Sequence, residues 1–426
     1  MNMENKFPKG FLWGAATSAH QVEGNLSNDW IKWERDNAER IASEAGEKWE
    51  KWQQDKFPEM FDAQNYISGI TCDQYNLYAK DFDLAKEGGH NAHRFSIEWS
   101  RIEPEEGKFD EKEIEHYRKV LIALRERGME PFVTLWHWPN PIWIGQTGAW
   151  KNKDTAKYFL RYARRIFNEY KDLVRFWMPL NEPGTEVSLG YLFGNQPPGI
   201  KNKIAANTAF NNLMQAQKDA YMLAKSISPD FQIGCSHFMF DIKPYGNLPW
   251  NILAAKMMDY FANHRFFEAF KDSCDFFGIQ YYQLFSINLK LGGHFWGIFE
   301  NKKITKMQSD LGWQIFPEGI YDVLKRASKS GKPIYITENG IADADDSRRP
   351  EFIKEHLKFV QKAIVDGVDI RGYFHWSLID NFEFVEMRGF WPRFGLIEVD
   401  YKTMERKPKP SFYVYKKIIE NNGLDE

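Results

Sequence analysis

The sequence predicts one (β/α)₈ barrel with enlarged βα loops, and three observations carry that prediction. Eight short, β-rich apolar runs recur along the 426 residues, at 11–18, 92–99, 130–138, 175–183, 232–239, 275–282, 333–340 and 370–380. Most are apolar nearly throughout, as strands covered on both faces must be. Helical periodicity fills the intervals, for example at 111–128, 154–171, 205–228 and 350–366, so helical crossovers return the chain and the strands run parallel. A doubly wound open sheet shares this alternation, but the count of eight and the long intervals favour closure. No linker, repeat or low-complexity tract divides residues 1–426, which are expected to form a single barrel domain.

The elements justify themselves in order. The first run is followed by the longest interval, where residues 36–61 are rich in Glu, Lys and Trp and read as a solvated helix beside the barrel mouth. After the second run, Ile114, Tyr117, Leu121 and Leu124 recur at spacings of three and four, and Gly128 closes the helix. The third run ends in His137-Trp138, the fourth in Asn181-Glu182-Pro183 and the sixth in Tyr282. The seventh ends in Glu338-Asn339-Gly340. Asn-Gly is also a hairpin signal, but loop and helix follow it rather than a return strand. The eighth contains Trp376, with Glu383 just beyond.

Composition narrows the function. Lys and Arg number 56 against 59 Asp and Glu, a net charge of −3 with no basic half, which argues against a nucleic-acid partner. No run of 18 apolar residues suggests a membrane span, and the N-terminus lacks a signal-peptide pattern. Three cysteines without a C-x-x-C give no disulfide framework or thiolate metal site, so a reducing, cytoplasmic location is expected. His90 and His93 have no third ligand nearby, and Gly-rich phosphate loops, dinucleotide fingerprints and G-x-S-x-G are absent. Neither metal nor cofactor is expected. Aromatic residues make up 16% of the chain, with 34 Phe, 19 Tyr and 16 Trp, enough for a packed core plus ring surfaces for a ligand.

In a barrel the reacting groups stand at the C-terminal strand ends. A carboxylate ending a buried strand is costly unless paired, hydrogen-bonded or protonated, so Glu182 and Glu338 each need a reason. The fourth and seventh strands lie on different sides of the mouth, which lets the two face one another. Two facing carboxyls are what glycosidic cleavage needs, one as proton donor and one ionised, with mutual repulsion expected to separate their pKa values. Gln21, His137, Trp138, Tyr282, Trp376 and Glu383 add the hydrogen-bonding groups and rings that sugars use, and Trp138, Tyr282 and Trp376 are read as stacking surfaces. Arg94, inside the barrel on the second strand, needs an anion, and Glu338 is the candidate.

The chain resembles glycoside hydrolase family 1, the β-glucosidase and β-galactosidase group, over essentially its whole length. The resemblance rests on segments in the family's order: residues 7–24, Arg94-Phe95-Ser96-Ile97-Glu98-Trp99, Thr134-Leu135-Trp136-His137-Trp138, Asn181-Glu182-Pro183, Thr337-Glu338-Asn339-Gly340 and Trp376-Ser377 through Glu383. It implies a retaining exo-β-glycosidase, first of all a β-glucosidase, with β-galactosidase or β-fucosidase activity compatible. Glu338 would be the nucleophile and Glu182 the acid/base. Asn181 would hold the sugar 2-hydroxyl, and Arg94 and Tyr282 would orient Glu338. Gln21, His137 and Glu383 would bind further hydroxyls over Trp376. The partners implied are small β-glycosides or short oligosaccharides, and a homo-oligomer is compatible. A 6-phospho-β-glycosidase and a non-catalytic carbohydrate-binding barrel are the alternatives. Glu383 opposes phosphate, whereas Arg388 and Arg393 nearby could attract it.

Three departures from the family pattern bear on the sugar site. Gln280 stands where the family usually has Asn. Phe384 replaces Trp after Glu383, losing an indole N–H, and residues 385–393 run about two longer than usual.

Overall fold

A computed structural model of the chain describes residues 6–289 and 299–424. Eight parallel strands close into a barrel: β1 (Leu12–Ala16), β2 (Ala92–Ser96), β3 (Glu130–Trp136), β4 (Phe176–Leu180), β5 (Gln232–Phe238), β6 (Phe276–Tyr281), β7 (Ile334–Asn339) and β8 (Ile370–Trp376). Each lies inside one predicted run. The ladder closes between β1 and β8, with Leu12 opposite Gly372 and Ala16 opposite Trp376. Most strands end before the predicted run does, because the polar residues at its C-terminal end leave the ladder for the mouth.

Eight helices form the outer ring: α1 (Gln74–Glu87), α2 (Glu111–Glu126), α3 (Thr155–Tyr170), α4 (Lys203–Ile227), α5 (Arg265–Phe270), α6 (Pro317–Ala327), α7 (Arg349–Val365) and α8 (Pro410–Asn421). In α2 the Asp110 carboxylate caps the backbone N–H groups of Lys112 and Glu113, and Ile114, Tyr117, Leu121 and Leu124 are buried as their spacing predicts. The charged interval after β1 contains the helix Asp29–Lys48, capped by Asn28 and burying Trp30 and three alanines. After β5 the chain adds structure the periodicity did not reveal. A small sheet pairs Asp241–Pro244, Leu284–Leu289 and Phe299–Asn301, and a helix spans Pro249–Asp259.

Below the mouth, aromatic rings fill the barrel. Phe132 stacks on Phe176 with centroids 4.3 Å apart and meets Phe374 at 4.8 Å, while Phe276 meets Tyr335 edge-on at 5.0 Å. Phe176, Phe276 and Tyr335 sit at or next to strand starts, so the cluster forms a floor beneath the polar strand ends. At the other end Gly340 explains the Asn-Gly pair without a hairpin. A Cβ there would lie 1.8 Å from the Trp376 carbonyl oxygen, so only glycine lets the end of β7 lie against β8.

Phe132→Ala is expected to lower stability by about 3–5 kcal/mol, because a ring surrounded by four others leaves a cavity that cannot collapse. Urea unfolding measures this, and a loss under about 1 kcal/mol would mean that the floor is not a packed layer.

Candidate active site

Glu338 is the penultimate residue of β7, opposite Gln280 on β6, and the strand pairing aims its carboxyl into the barrel. One oxygen accepts from the Arg94 guanidinium of β2 and, at 2.6 Å, from the Gln280 amide. The other accepts from the Tyr282 hydroxyl at 2.6 Å. Arg94 is fully buried, and its second terminal nitrogen donates to Asn181 Oδ1 at 2.6 Å. The arginine therefore joins Glu338 to the end of β4. Gln280 was read from sequence only as a departure from a motif, yet it donates to both Glu338 and, at 2.9 Å, Asn181 Oδ1.

Glu182 sits two residues past β4, with its backbone N–H on the Ser236 carbonyl at 3.2 Å. Its φ of +41° lies in the left-handed region, a strained placement for a non-glycine residue. Both carboxyls are buried, and burial pushes both pKa values up, Glu182 well above the ordinary range. Burial, rather than the expected mutual repulsion, is the larger cause; repulsion from Glu338 comes second for Glu182. Glu338 is drawn back down by Arg94, Tyr282 and Gln280, whereas Glu182 has only a Thr185 hydrogen bond and the more distant Arg94 acting that way. The pair's single charge therefore resides on Glu338 and its proton on Glu182.

Gln21, His137, Trp138, Asn181, Glu182, Tyr282, Glu338, Trp376 and Glu383 line one cavity of about 960 Å³, and Arg94 is not in its lining. Asn181 presents its amide nitrogen to His137 Nε2 at 3.1 Å, because Oδ1 is already taken by Arg94 and Gln280. His137 must accept there, which puts its proton on Nδ1, and burial first, then Arg94, holds its pKa well below the usual value. Gln21 is held by Asn381 and the Phe382 carbonyl, both at 3.0 Å. Burial pushes Glu383 up to about 7, with Arg388 opposing.

The rings read as stacking surfaces also carry polar contacts. Tyr282 works through its hydroxyl on Glu338, while its ring stands edge-on to Trp313. Trp138 donates its indole N–H to the Asn181 carbonyl at 3.0 Å and forms a wall of the cavity with φ of +86°. Trp376 lies nearly parallel to His137 at 6.2 Å on the cavity lining. Phe384 packs on Trp30 at 4.5 Å and on Trp138 at 5.3 Å, keeping the ring but supplying no donor. Residues 385–393 leave from a closed turn in which Glu383 and Gly389 exchange backbone hydrogen bonds of 2.8 Å. Arg393 is turned to Asp380 and the Val399 carbonyl, and Arg388 pairs with Glu386 at 2.7 Å. His90 and His93 are buried in aromatic packing against Tyr415 and Phe82, and burial lowers both pKa values to about 3.

A buried carboxyl pair at the C-terminal mouth of a (β/α)₈ barrel, surrounded by amides, a neutral imidazole and a tryptophan face, defines a glycoside hydrolase. The model of Glycosyl hydrolase family 1 matches residues 3–272 and 267–424. The chain is 32% identical to Beta-glucosidase A of Thermotoga maritima over 473 residues, covering 100% of both chains. It is 30% identical to the Beta-galactosidase of Pyrococcus woesei over 519 residues, covering 98% of each. Among solved structures it resembles a beta-glycosidase from Pyrococcus horikoshii with a TM-score of 0.87 and 36% identity, covering 100% of this chain and 97% of that one. The chain belongs to glycosyl hydrolase family 1.

His137 is expected to stay neutral, with its proton on Nδ1, from about pH 5 to about pH 8. Nitrogen-15 NMR of the imidazole reports both state and tautomer, and a titration within that window would contradict the hydrogen-bond assignment.

Proposed function

We propose that residues 1–426 act as one catalytic barrel, a retaining exo-β-glycosidase that removes terminal non-reducing β-D-glucosyl units by double displacement. The observation that carries this reading is the unequal support of the two carboxyls: Glu338 accepts from three donors, whereas Glu182 is buried and pushed far upward. In the first step ionised Glu338 attacks the anomeric carbon while Glu182 gives its proton to the glycosidic oxygen, and the aglycone departs as an alcohol. Esterification removes the charge of Glu338. The Glu182 pKa then falls, and its carboxylate takes a proton from water as the oxygen attacks the anomeric carbon and releases Glu338. Asn181 keeps one amide N–H beyond the bond to His137, suited to a sugar 2-hydroxyl. Trp376 serves as the sugar platform, with Gln21, His137 and Glu383 as hydroxyl partners.

The names of the relatives, a β-glucosidase and a β-galactosidase, support glucose as first substrate with galactose tolerated, and β-fucosidase activity is compatible with the family. Arg393 is committed to Asp380, and Arg388 faces both Glu383 and Glu386, so the sugar end favours neutral glycones over phosphorylated ones. Among the described residues no helix is long and apolar enough to cross a membrane. The cytoplasm is our assignment, supported by three free, buried cysteines.

Two variants separate the roles. With 2,4-dinitrophenyl β-glucoside, Glu338→Gly is expected to lose about 10⁴-fold or more in kcat/KM and to regain turnover with azide as α-glucosyl azide. Glu182→Ala should keep its first step on this activated substrate and give β-glucosyl azide. Swapped anomers would exchange the two roles, and full activity in Glu338→Gly would remove it from the mechanism.

Gln280→Met tests the third donor. Its amide lowers the Glu338 pKa, so its loss raises that pKa and moves the acidic limb of kcat/KM to higher pH, with a loss of about 10- to 100-fold at the optimum. An unmoved acidic limb would assign Gln280 to packing alone.

A further inference from the structure

The sugar end holds a cation whose bonding capacity is not used up. Arg388 lines the cavity and is 7% exposed, with its Nη2 given to Glu386 at 2.7 Å and its guanidinium over the Trp313 ring at 5.1 Å. Its Nε–H is buried and has no hydrogen-bond partner among the described residues. The backbone fixes this side chain from both sides. The Arg388 N–H donates to the Glu383 carbonyl at 3.1 Å, and the Arg388 carbonyl accepts from the Asn65 amide at 3.2 Å. Gly389 follows with φ of +81°, where a Cβ would lie 2.2 Å from the Asn65 carbonyl oxygen. Glu386 and Met387, the two residues before Arg388, have φ of +50° and +52°. Two successive non-glycine residues in the left-handed region cost stability, and only over-determining surroundings keep them there.

A sugar hydroxyl both gives and accepts a hydrogen bond, so a buried one needs a donor and an acceptor from the wall. Near Glu383 few donors are left. Both Gln21 amide hydrogens are spent on Asn381 and the Phe382 carbonyl, the Phe384 ring has none, and a Glu383 carboxylate only accepts. The order of strand ends indicates which hydroxyl Arg388 meets. Going round the mouth from Glu338 on β7, the groups are Asn181 at the end of β4, His137 after β3, Gln21 after β1 and Glu383 after β8. With C1 on Glu338 and the 2-hydroxyl on Asn181, the substituents at C3, C4 and C5 follow in that order, and C5 carries the hydroxymethyl group. Arg388 stands past Glu383 on the arc that returns to Glu338, over Trp313, whose ring meets Tyr282 at 5.8 Å. We propose that the Arg388 Nε–H and Glu383 together hold the 6-hydroxyl of the glycone, the first as donor and the second as acceptor, so that Arg388 sets a preference for hexosides bearing that hydroxyl over their 6-deoxy counterparts. The proposal rests on the glycosidase reading above. A guanidinium also suits a carboxylate or phosphate at C6, but Glu383 and Glu386 flank this one and would repel either.

The test compares two matched pairs of p-nitrophenyl β-D-glycosides, glucoside against 6-deoxyglucoside and galactoside against fucoside, the latter being 6-deoxygalactoside. In the wild type each hydroxylated member is expected to exceed its deoxy partner about 10- to 100-fold in kcat/KM, the range of a hydrogen bond to a charged group. In Arg388→Met that ratio should fall about fivefold or more, and Arg388→Lys, which keeps the charge but moves the donor, should retain part of it. Circular dichroism verifies that the variants are folded. An arginine that only holds the turn would lower both members of a pair alike. That result, or a wild-type ratio near one, overturns the proposal and leaves the glycosidase reading in place. Faster cleavage of the glucuronide or the 6-phosphoglucoside than of the glucoside overturns it in favour of an anion site. No cleavage of any of these glycosides would sink the glycosidase reading and the proposal with it.

Discussion

The site depends on one buried guanidinium. Arg94 is fully enclosed on β2, and an unpaired cation there would cost several kcal/mol, so its neighbours must supply negative charge and acceptors. Glu338 supplies the charge, and Asn181 Oδ1 and, more distantly, Ser236 Oγ accept from the other terminal nitrogen. Those partners come from β7, the end of β4 and β5, so one side chain ties together strands that barrel closure alone brings close. The same contacts settle the proton inventory. Glu338 keeps its charge because Arg94 requires it, Glu182 keeps its proton because burial first and the charge of Glu338 second disfavour its carboxylate, and His137 stays neutral because burial and Arg94 disfavour a second cation.

Two strained residues stand on the same ring. Glu182 and Trp138 both have positive φ, a conformation that costs non-glycine residues about 1–3 kcal/mol each and persists only where the surroundings over-determine it. Here they do. The Glu182 N–H is fixed on Ser236, and the Trp138 indole is fixed on the Asn181 carbonyl, so each strained residue is tied to the strand end that presents the neighbouring site group. The aromatic floor below prevents the strand ends from relaxing inward.

The architecture was legible because a parallel strand buried on both faces must be apolar throughout, and such runs announce themselves. The two glutamates were legible as violations of that rule. What the sequence could not convey is which partner each polar strand end would meet, since that depends on closure and stagger. Gln280 stands out in the sequence only as a departure from a motif, whereas one more methylene carries its amide to Glu338 and Asn181 together. Tyr282 reads both as a platform and, through the resemblance, as a partner of Glu338, and its hydroxyl takes the second place. The helix Pro249–Asp259 escaped notice because the usual amphipathic signal is missing, its outer face being as apolar as its inner one.

The aromatic surplus then divides by function. Phe132, Phe176 and their partners are floor; Trp138, Phe384 and Trp376 shape the sugar end; Phe210, Phe240 and Phe261 line the other side. This division has a consequence for the proton cycle. Burial of both carboxyls strengthens the Coulomb coupling between Glu182 and Glu338, and so enlarges the drop in the Glu182 pKa when Glu338 is esterified. Yet the second half of the reaction needs water beside Glu182. A closed apolar wall would exclude that water and strand the ester, whereas this wall opens to the surface through Met257 and Phe261. The route by which the leaving alcohol departs is then also the route by which water enters, and the order of the two steps follows from the vacancy that the departing group leaves.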